Sequence, residues 1–468
     1  MTGSCYLLED DSRKILIDCG MFQGPDVEDR NKEPFGFVPS EIDFVILTHA
    51  HMDHCGLIPR LVREGFAGPI YMTPPTAALS ELVLLDSAKI QELEAKKQGT
   101  FEYSEAMPYT LPGILYDTRD AMKSLTMFRT EIFGKDFQPA EGITVRFVPA
   151  GHILGAASVQ ITISGRQLLF SGDIGRADQT IINTFSNGTS FSPEYITMES
   201  LYGGIEHPDR NETLNELISV ITKTTERDGN VIIPCFAIHR TQELLEILSI
   251  AFDQGRINGD VQVYIDSPMA IRATKIYTQF SGYFNDRTDH FGVITEYSAE
   301  NSRKPRTAKR QSNRRFDFDQ LRYIRTHKKS LRLASATKSI IIAGSGMAEG
   351  GRIMHHIASH APDTNSSLVF VGFQAEQTTG RSLVDGASQI SINKKDVQVR
   401  AGVHYLRGFS AHADSPTLQQ WLSLYDLKRL KQAFLVHAEP ERSEALASIL
   451  TNDGVPAHIP DWKQSITL

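Results

Sequence analysis

Several things are missing from this sequence, and each absence narrows what it can be. No run of eighteen apolar residues occurs, so no segment is written to span a bilayer. The opening MTGSCYLLEDDSRK lacks the apolar core of a secretory signal, so the expected setting is the cytoplasm, with no membrane partner. Cysteine is scarce: Cys5, Cys19, Cys55 and Cys235 stand apart, with no C-x-x-C pair. That argues against a disulfide framework or a thiolate zinc site and fits buried thiols in a reducing compartment. There is no cationic excess either. The net charge is −8, so a polyanion would have to be met in a local groove. At about 100–200 residues per domain, the 468 residues predict two or three domains.

What is present is a crowd of ligand-type side chains in one short stretch, ILTHAHMDHCGLIPRL. Residues 42–47 (IDFVIL) read as a buried strand, and LIPRLVREG reads as a helix closed by Gly65. His49, His51, Asp53 and His54 therefore fall where a strand meets a helix. Alternation puts His49 and His51 on one side of an extended segment, while Asp53 and His54 begin the next turn. Imidazole and carboxylate suit borderline metals such as zinc, so one loop can feed two neighbouring ions. A chance cluster of surface histidines is the bland alternative, and a full H-x-H-x-D-H at a strand end speaks against it. Four ligands cannot close two sites. Three later stretches have the same form, an apolar strand followed by a ligand: His152 in VRFVPAGHILG, Asp173 in LLFSGDIGR and His437 in QAFLVHAEPE.

Between Asp173 and His437 the chain is too long for a loop. It carries four strand-then-helix units, beginning NVIIPCFAIHR, VQVYIDSPMA, SIIIAGSGMAEGGR and SLVFVGFQAEQTTGR. Such a series predicts a parallel sheet flanked by helices, inserted as a second domain. Ligands of such sheets sit beyond the strands' carboxyl ends. Arg240, Ser267, Ser345, Arg352, Thr379 and Arg381 fall there and are the substrate-binding candidates, because hydroxyls, helix starts and guanidinium forks suit phosphate. Ordinary helix capping accounts for any one of the hydroxyls just as well.

H-x-H-x-D-H, a distant His, an Asp in S-G-D and a late His together resemble the metallo-β-lactamase pattern. The further stretches MESLYGG, IIPCFAIHRTQELL, YIDSPMA, GSGMAEGGRIMHH, GFSAHAD and FLVHAEPE resemble the β-CASP branch, the metallo-β-lactamase-fold nucleases. The nearest likeness is to compact bacterial and archaeal ribonucleases akin to the cleavage subunit of the pre-mRNA 3′-end complex. The resemblance covers essentially the whole chain. It implies an α/β protein, an αββα metallo-β-lactamase sandwich with an inserted Rossmann-like parallel-sheet β-CASP domain. The expected divisions are residues 1–200 and 386–468 for the sandwich and 201–385 for the insert. It implies one metal on His49, His51 and His152, another on Asp53, His54 and His437, and Asp173 bridging them. It implies Asp53, Glu199 and His412 as catalytic residues, with Glu199 orienting His412. The implied cofactors are two Zn2+ per chain, with Mn2+ also accepted by such ligands. The implied partner is RNA, most naturally single-stranded, and a homodimer is left open.

On this reading a metal-activated hydroxide attacks the phosphodiester and leaves 5′-phosphate and 3′-hydroxyl ends. The alternatives are a DNA-directed nuclease, a small-molecule thioesterase or lactamase on the same fold, and a non-catalytic partner subunit. The inserted domain argues against the second, and the intact ligand set against the third. Three departures from the family pattern stand out: Leu201 for a Thr, and His239 and Ala438 for glycines. If position 438 needs φ > 0, its added methyl brings strain. His239 reads as an exposed bystander more readily than as a substrate contact, and Asp414 as a partner to a ligand. A basic tract, residues 302–315, holds Arg303, Lys304, Arg306, Lys309, Arg310, Arg314 and Arg315, with Arg322 just beyond. It reads equally as a solvated loop or an RNA contact. The aromatics that follow, Phe316, Phe318 and Tyr323, read first as core.

Overall fold

The computed structural model describes residues 3–10, 13–24, 28–97, 114–188, 190–285 and 315–468. The basic tract lies outside these, apart from Arg315. The chain divides into two compact units. One comprises Met1–Ala177, Asn183–Glu206 and His412–Leu468, and the other Asp178–Ile182 and His207–Ala411.

The first unit opens with β1 (Tyr6–Glu9), β2 (Lys14–Ile17), β3 (Phe44–Ile46), β4 (Ile70–Met72) and β5 (Phe128–Thr130), which form a five-stranded sheet in that order. Only the β1–β2 pair is antiparallel. All three residues of β3 are buried, as a strand covered on both faces requires. Next come β6 (Asp136–Ala140), β7 (Ile143–Pro149), β8 (Ala157–Ile163), β9 (Arg166–Phe170) and β10 (Tyr195–Glu199). Ile15, Ile17, Phe44 and Ile46 of the first sheet pack on Val145, Phe147, Val159, Ile161 and Phe170 of the second, making the middle of the sandwich.

The inserted unit carries β11 (Val231–Pro234), β12 (Gln262–Asp266), β13 (Leu321–Tyr323), β14 (Ser339–Ala343) and β15 (Ser367–Phe370). A small hairpin of β16 (Gln389–Ile392) and β17 (Lys395–Gln398) follows, then β18 (Gly402–Tyr405). Its main sheet has six strands in the order β13-β12-β14-β11-β15-β18, all parallel. Helices Arg240–Asp253, Pro268–Gln279 and Ile353–His360 fall between its strands, as the repeated units predict. β18 pairs with β15, and this compact unit spans His207–Ala411 together with Asp178–Ile182, where the expected insert is 201–385.

The chain then returns to the first unit. Strands β19 (Gln432–Val436) and β20 (Ala457–His458) extend the second sheet to β20-β19-β10-β9-β8-β7-β6. Helices Ser415–Leu422 and Pro440–Asn452 cover its outer face, where Leu418, Trp421, Leu446 and Leu450 meet Ile196, Met198 and Leu435. Helices Pro74–Lys97 and Thr118–Leu125 pack together with β5 of the other sheet. The result is the αββα sandwich with its inserted parallel-sheet domain. No helix among the described residues is long and apolar enough to cross a membrane.

Candidate metal centre

Each side chain of the centre enters from the end of a strand. β3 runs into Thr48 and His49; His51 then caps the one-turn helix Met52–Cys55, which carries Asp53 and His54. The β7–β8 turn supplies His152, the segment after β9 Asp173, the end of β10 Glu199, and the end of β19 His437. His412 is laid beside Asp173 by a bridge to Gly175 and by the Ala413 N–H donating to the Ile174 carbonyl at 2.8 Å.

These side chains converge. His49, His51, His152 and Asp173 form one group whose donor atoms lie within 4.8 Å of one another, and Asp53, His54 and His437 form another. Asp173 touches both: its Oδ2 is 3.4 Å from His49 and 3.6 Å from His152, and its Oδ1 is 3.1 Å from His54 and 2.7 Å from His437. His437 Nε2 reaches Asp53 at 3.3 Å. A third group adds Glu199 and His412 around the same Asp173. Glu199 Oε2 is 3.1 Å from His412 Nδ1, and its other oxygen accepts the Ile174 N–H.

In the group of His49, His51 and His152 the electrostatics suit a cation. Burial, aided by neighbouring His54, lowers the His49 pKa, and burial beside His49 lowers that of His51 to about 3. Burial next to His412 takes His152 well below the ordinary histidine value. These three imidazoles are therefore neutral, and His51 Nδ1 lies 3.1 Å from Nε2 of each of the other two. Two neutral rings can share one proton; three nitrogens turned to one point match the lone pairs of a cation's ligand set. Burial opposes charge on Asp53 and Asp173, yet the adjacent histidines hold both below the ordinary carboxylate range. Burial also opposes charge on His437, but Asp173 outweighs it and lifts the ring to about 10. The donor set, imidazole and ionised carboxylate without thiolate, fits zinc or manganese.

The strand-end reasoning missed Asp18, which follows β2 in LIDCG. Its Oδ1 accepts the Thr48 N–H at 2.7 Å, and its Oδ2 accepts the Thr48 hydroxyl at 2.8 Å and lies 2.7 Å from His54 Nδ1. The signal was there, an apolar strand ending in a carboxylate. Gly20, two residues on, leaves room for the loop: a Cβ there would fall 1.7 Å from the Asp53 carbonyl oxygen.

The substrate-side candidates lie in the inserted unit, at the carboxyl ends of its strands, and each already has local work. Arg240, Arg352 and Arg381 meet the carboxylates of Glu243, Asp266 and Asp385. Ser267 caps its helix by accepting the Ala270 N–H, Ser345 accepts the Glu349 N–H, and Thr379 donates its backbone N–H to Glu349. Asp414 caps helix Ser415–Leu422. The strain considered for Ala438 does not arise there; the positive φ, 59°, belongs to the preceding residue, His437. His239 is buried rather than exposed, at φ 67° and 3.2 Å from the Tyr277 hydroxyl, a backbone position that favours glycine. Phe316 is buried and serves the core, while Phe318 is half-buried and stacks on the half-buried Phe252.

Residues 1–235 match the Metallo-beta-lactamase superfamily model, residues 241–383 the Beta-Casp domain, and residues 396–460 the Zn-dependent metallo-hydrolase RNA specificity domain. The chain is 33% identical to a ribonuclease of Thermus thermophilus over 458 residues, covering 97% of this chain and 94% of that one. It is 32% identical to the transcription termination factor FttA of Methanococcus maripaludis over 472 residues, covering 95% of this chain but only 66% of that longer protein. A solved structure of a protein of unknown function from Enterococcus faecalis shares the fold, with a TM-score of 0.52 at 13% identity, covering 98% of this chain and 95% of that one. A superfamily match across half of the chain, and a relative one-third identical along nearly all of it, show that this chain belongs to the β-CASP branch of the metallo-β-lactamase superfamily, a family of metal-dependent hydrolases.

Proposed function

We propose that this chain is a metal-dependent ribonuclease that cuts single-stranded RNA and leaves 5′-phosphate and 3′-hydroxyl ends. The observation that carries the proposal is the meeting of seven donors from four separate segments, with Asp173 at the centre of the other six. The likeness to the Thermus ribonuclease and the RNA specificity match supply the substrate class. His49, His51 and His152 would hold one divalent cation, and Asp53, His54 and His437 a second, with Asp173 between them. When bound, such a pair acidifies water and neutralises charge on a phosphate.

The protein's own groups do the rest. The buried carboxylates and imidazoles are fixed before substrate arrives, so no reorganisation is needed. Asp18 holds the His54 ring in its orientation. His412 stands beside the cluster, with Glu199 gripping its Nδ1. This leaves Nε2 to give a proton to the 3′ oxygen as its bond to phosphorus breaks. The six substrate-side residues of the inserted unit are proposed to line the RNA path. Its three arginines would have to exchange a carboxylate for a phosphate to touch it.

The test is product mapping on end-labelled RNA with zinc or manganese added. We expect cleavage, with 5′-phosphate on the downstream product. Intact RNA after incubation with metal-replete protein, together with an unchanged metal content in His49→Ala, would overturn the proposal. Competition between RNA and DNA of one sequence decides the DNA alternative.

A further inference from the structure

In the inserted unit, β11 and β15 are neighbours in the parallel sheet. From β11 the chain leaves toward β12 on one side, and from β15 it leaves toward β18 on the other. Two adjacent strands whose outgoing connections diverge leave a crevice beyond their carboxyl ends, the place where open parallel sheets take ligands. Phe236 stands just past β11 and Phe373 just past β15. Among the described residues of this unit the large exposed apolar side chains are Phe236 (43%), Leu331 (50%) and Phe373 (51%), so two of the three flank this one crevice.

The surroundings hold the Phe236 ring in place and tie the loop that carries Phe373 to the loop after β14. A Cβ on Gly346 would fall 2.7 Å from the Phe236 ring, and one on Gly372 would fall 3.7 Å from it, so the ring lies across two bare backbones. The Phe236 carbonyl accepts the Thr241 hydroxyl at 2.7 Å. The buried Gln374 amide donates to the carbonyls of Gly346, Gly372 and Phe373 at 2.9–3.0 Å, tying the loops after β14 and β15 together. Leaving aromatic rings in water is unfavourable unless something flat and partly apolar covers them. A nucleobase has that shape, and it stacks on aromatic side chains whatever its identity.

We propose that Phe236 and Phe373 form a platform on which bases of single-stranded RNA stack, a binding site separate from the metal centre. It rests on the ribonuclease reading and gives that reading a sequence-tolerant grip on its substrate.

The probe is a short fluorescein-labelled single-stranded RNA with a hydrolysis-resistant phosphorothioate backbone, titrated into the metal-loaded full chain. Phe236→Ala and Phe373→Ala should each weaken binding by roughly 5- to 100-fold. Phe236→Trp should restore it and Phe236→Leu should not. Gly346→Ala, which displaces the ring without removing it, should weaken binding too. An abasic strand should bind weakly to the wild type and lose little more in Phe236→Ala. Wild-type metal content and unfolding temperature in each variant exclude misfolding. Equal affinity of wild type, Ala and Leu variants would sink the platform while leaving the nuclease intact. Failure of the wild type to bind any RNA would sink both. A concentration-dependent dimer abolished by Phe373→Ala would give the surface to a second copy of the chain and overturn the proposal.

Discussion

At the scale of single residues, the centre depends on groups that touch no substrate. Asp18→Asn keeps the shape but removes the negative charge facing His54, so metal affinity should fall roughly 10- to 100-fold. Metal titration of the variant checks this; unchanged affinity would mean that Thr48 and packing suffice to orient the ring. Gly20→Ala should be worse, because its Cβ cannot share space with the Asp53 carbonyl. His412→Ala should retain its metal and lose about 10²- to 10⁴-fold in kcat, and Glu199→Gln part of that. A parallel loss of metal would instead place His412 among the ligands. The candidate metal-binding histidines were legible in the sequence because they sit just past strand ends, three after β3, one after β7 and one after β19. Asp18 carries the same strand-end mark, but its role was not legible, since that depends on β2 lying beside β3, a pairing that brings Asp18 to Thr48 from thirty positions away.

At the scale of elements, the inserted sheet is tied at Asp266, the last residue of β12. Its carboxylate is fully buried and meets Arg352 at 2.6 Å, His356 at 2.7 Å and the Ser330 hydroxyl. Removing one partner of a buried ion pair leaves the rest uncompensated, so Asp266→Ala should cost about 3 kcal/mol in urea unfolding. Burial would raise this carboxyl's pKa, but His356, Ser330 and Arg352 outweigh burial and lower it. A lowered folded pKa means stability that is complete above the ordinary aspartate value, near pH 4, and lost as pH falls below it. Asp266→Asn should flatten that acid limb, and an identical limb in the variant would show that another group sets it. Strand-then-helix periodicity made these elements legible. It did not reveal that Arg352 is held by Asp266 or that β18 joins the insert, because strand pairing and ion pairing across a sheet leave no local mark.

At the scale of the whole molecule, the donors come from both sheets of the sandwich, so bound cations would clamp the first unit alone. Chelation should therefore lower that unit's unfolding temperature and spare the inserted unit. A ligand at a hundredfold excess over its Kd adds about 2.7 kcal/mol. Calorimetry with and without chelator tests this; a single transition that ignores the chelator would count against the clamp. The sequence by itself determined the ligand types, their strand-end positions and the parallel-sheet insert, because these follow from periodicity and spacing within short windows; the sandwich was implied by the family resemblance of the motifs. Only the tertiary structure decided that six donors gather around Asp173, that Asp18 stands behind them, and that Phe236 and Phe373 flank one crevice. The physical reason is that convergence is a property of strand order and register, which the chain sets only when distant apolar faces find one another in the core.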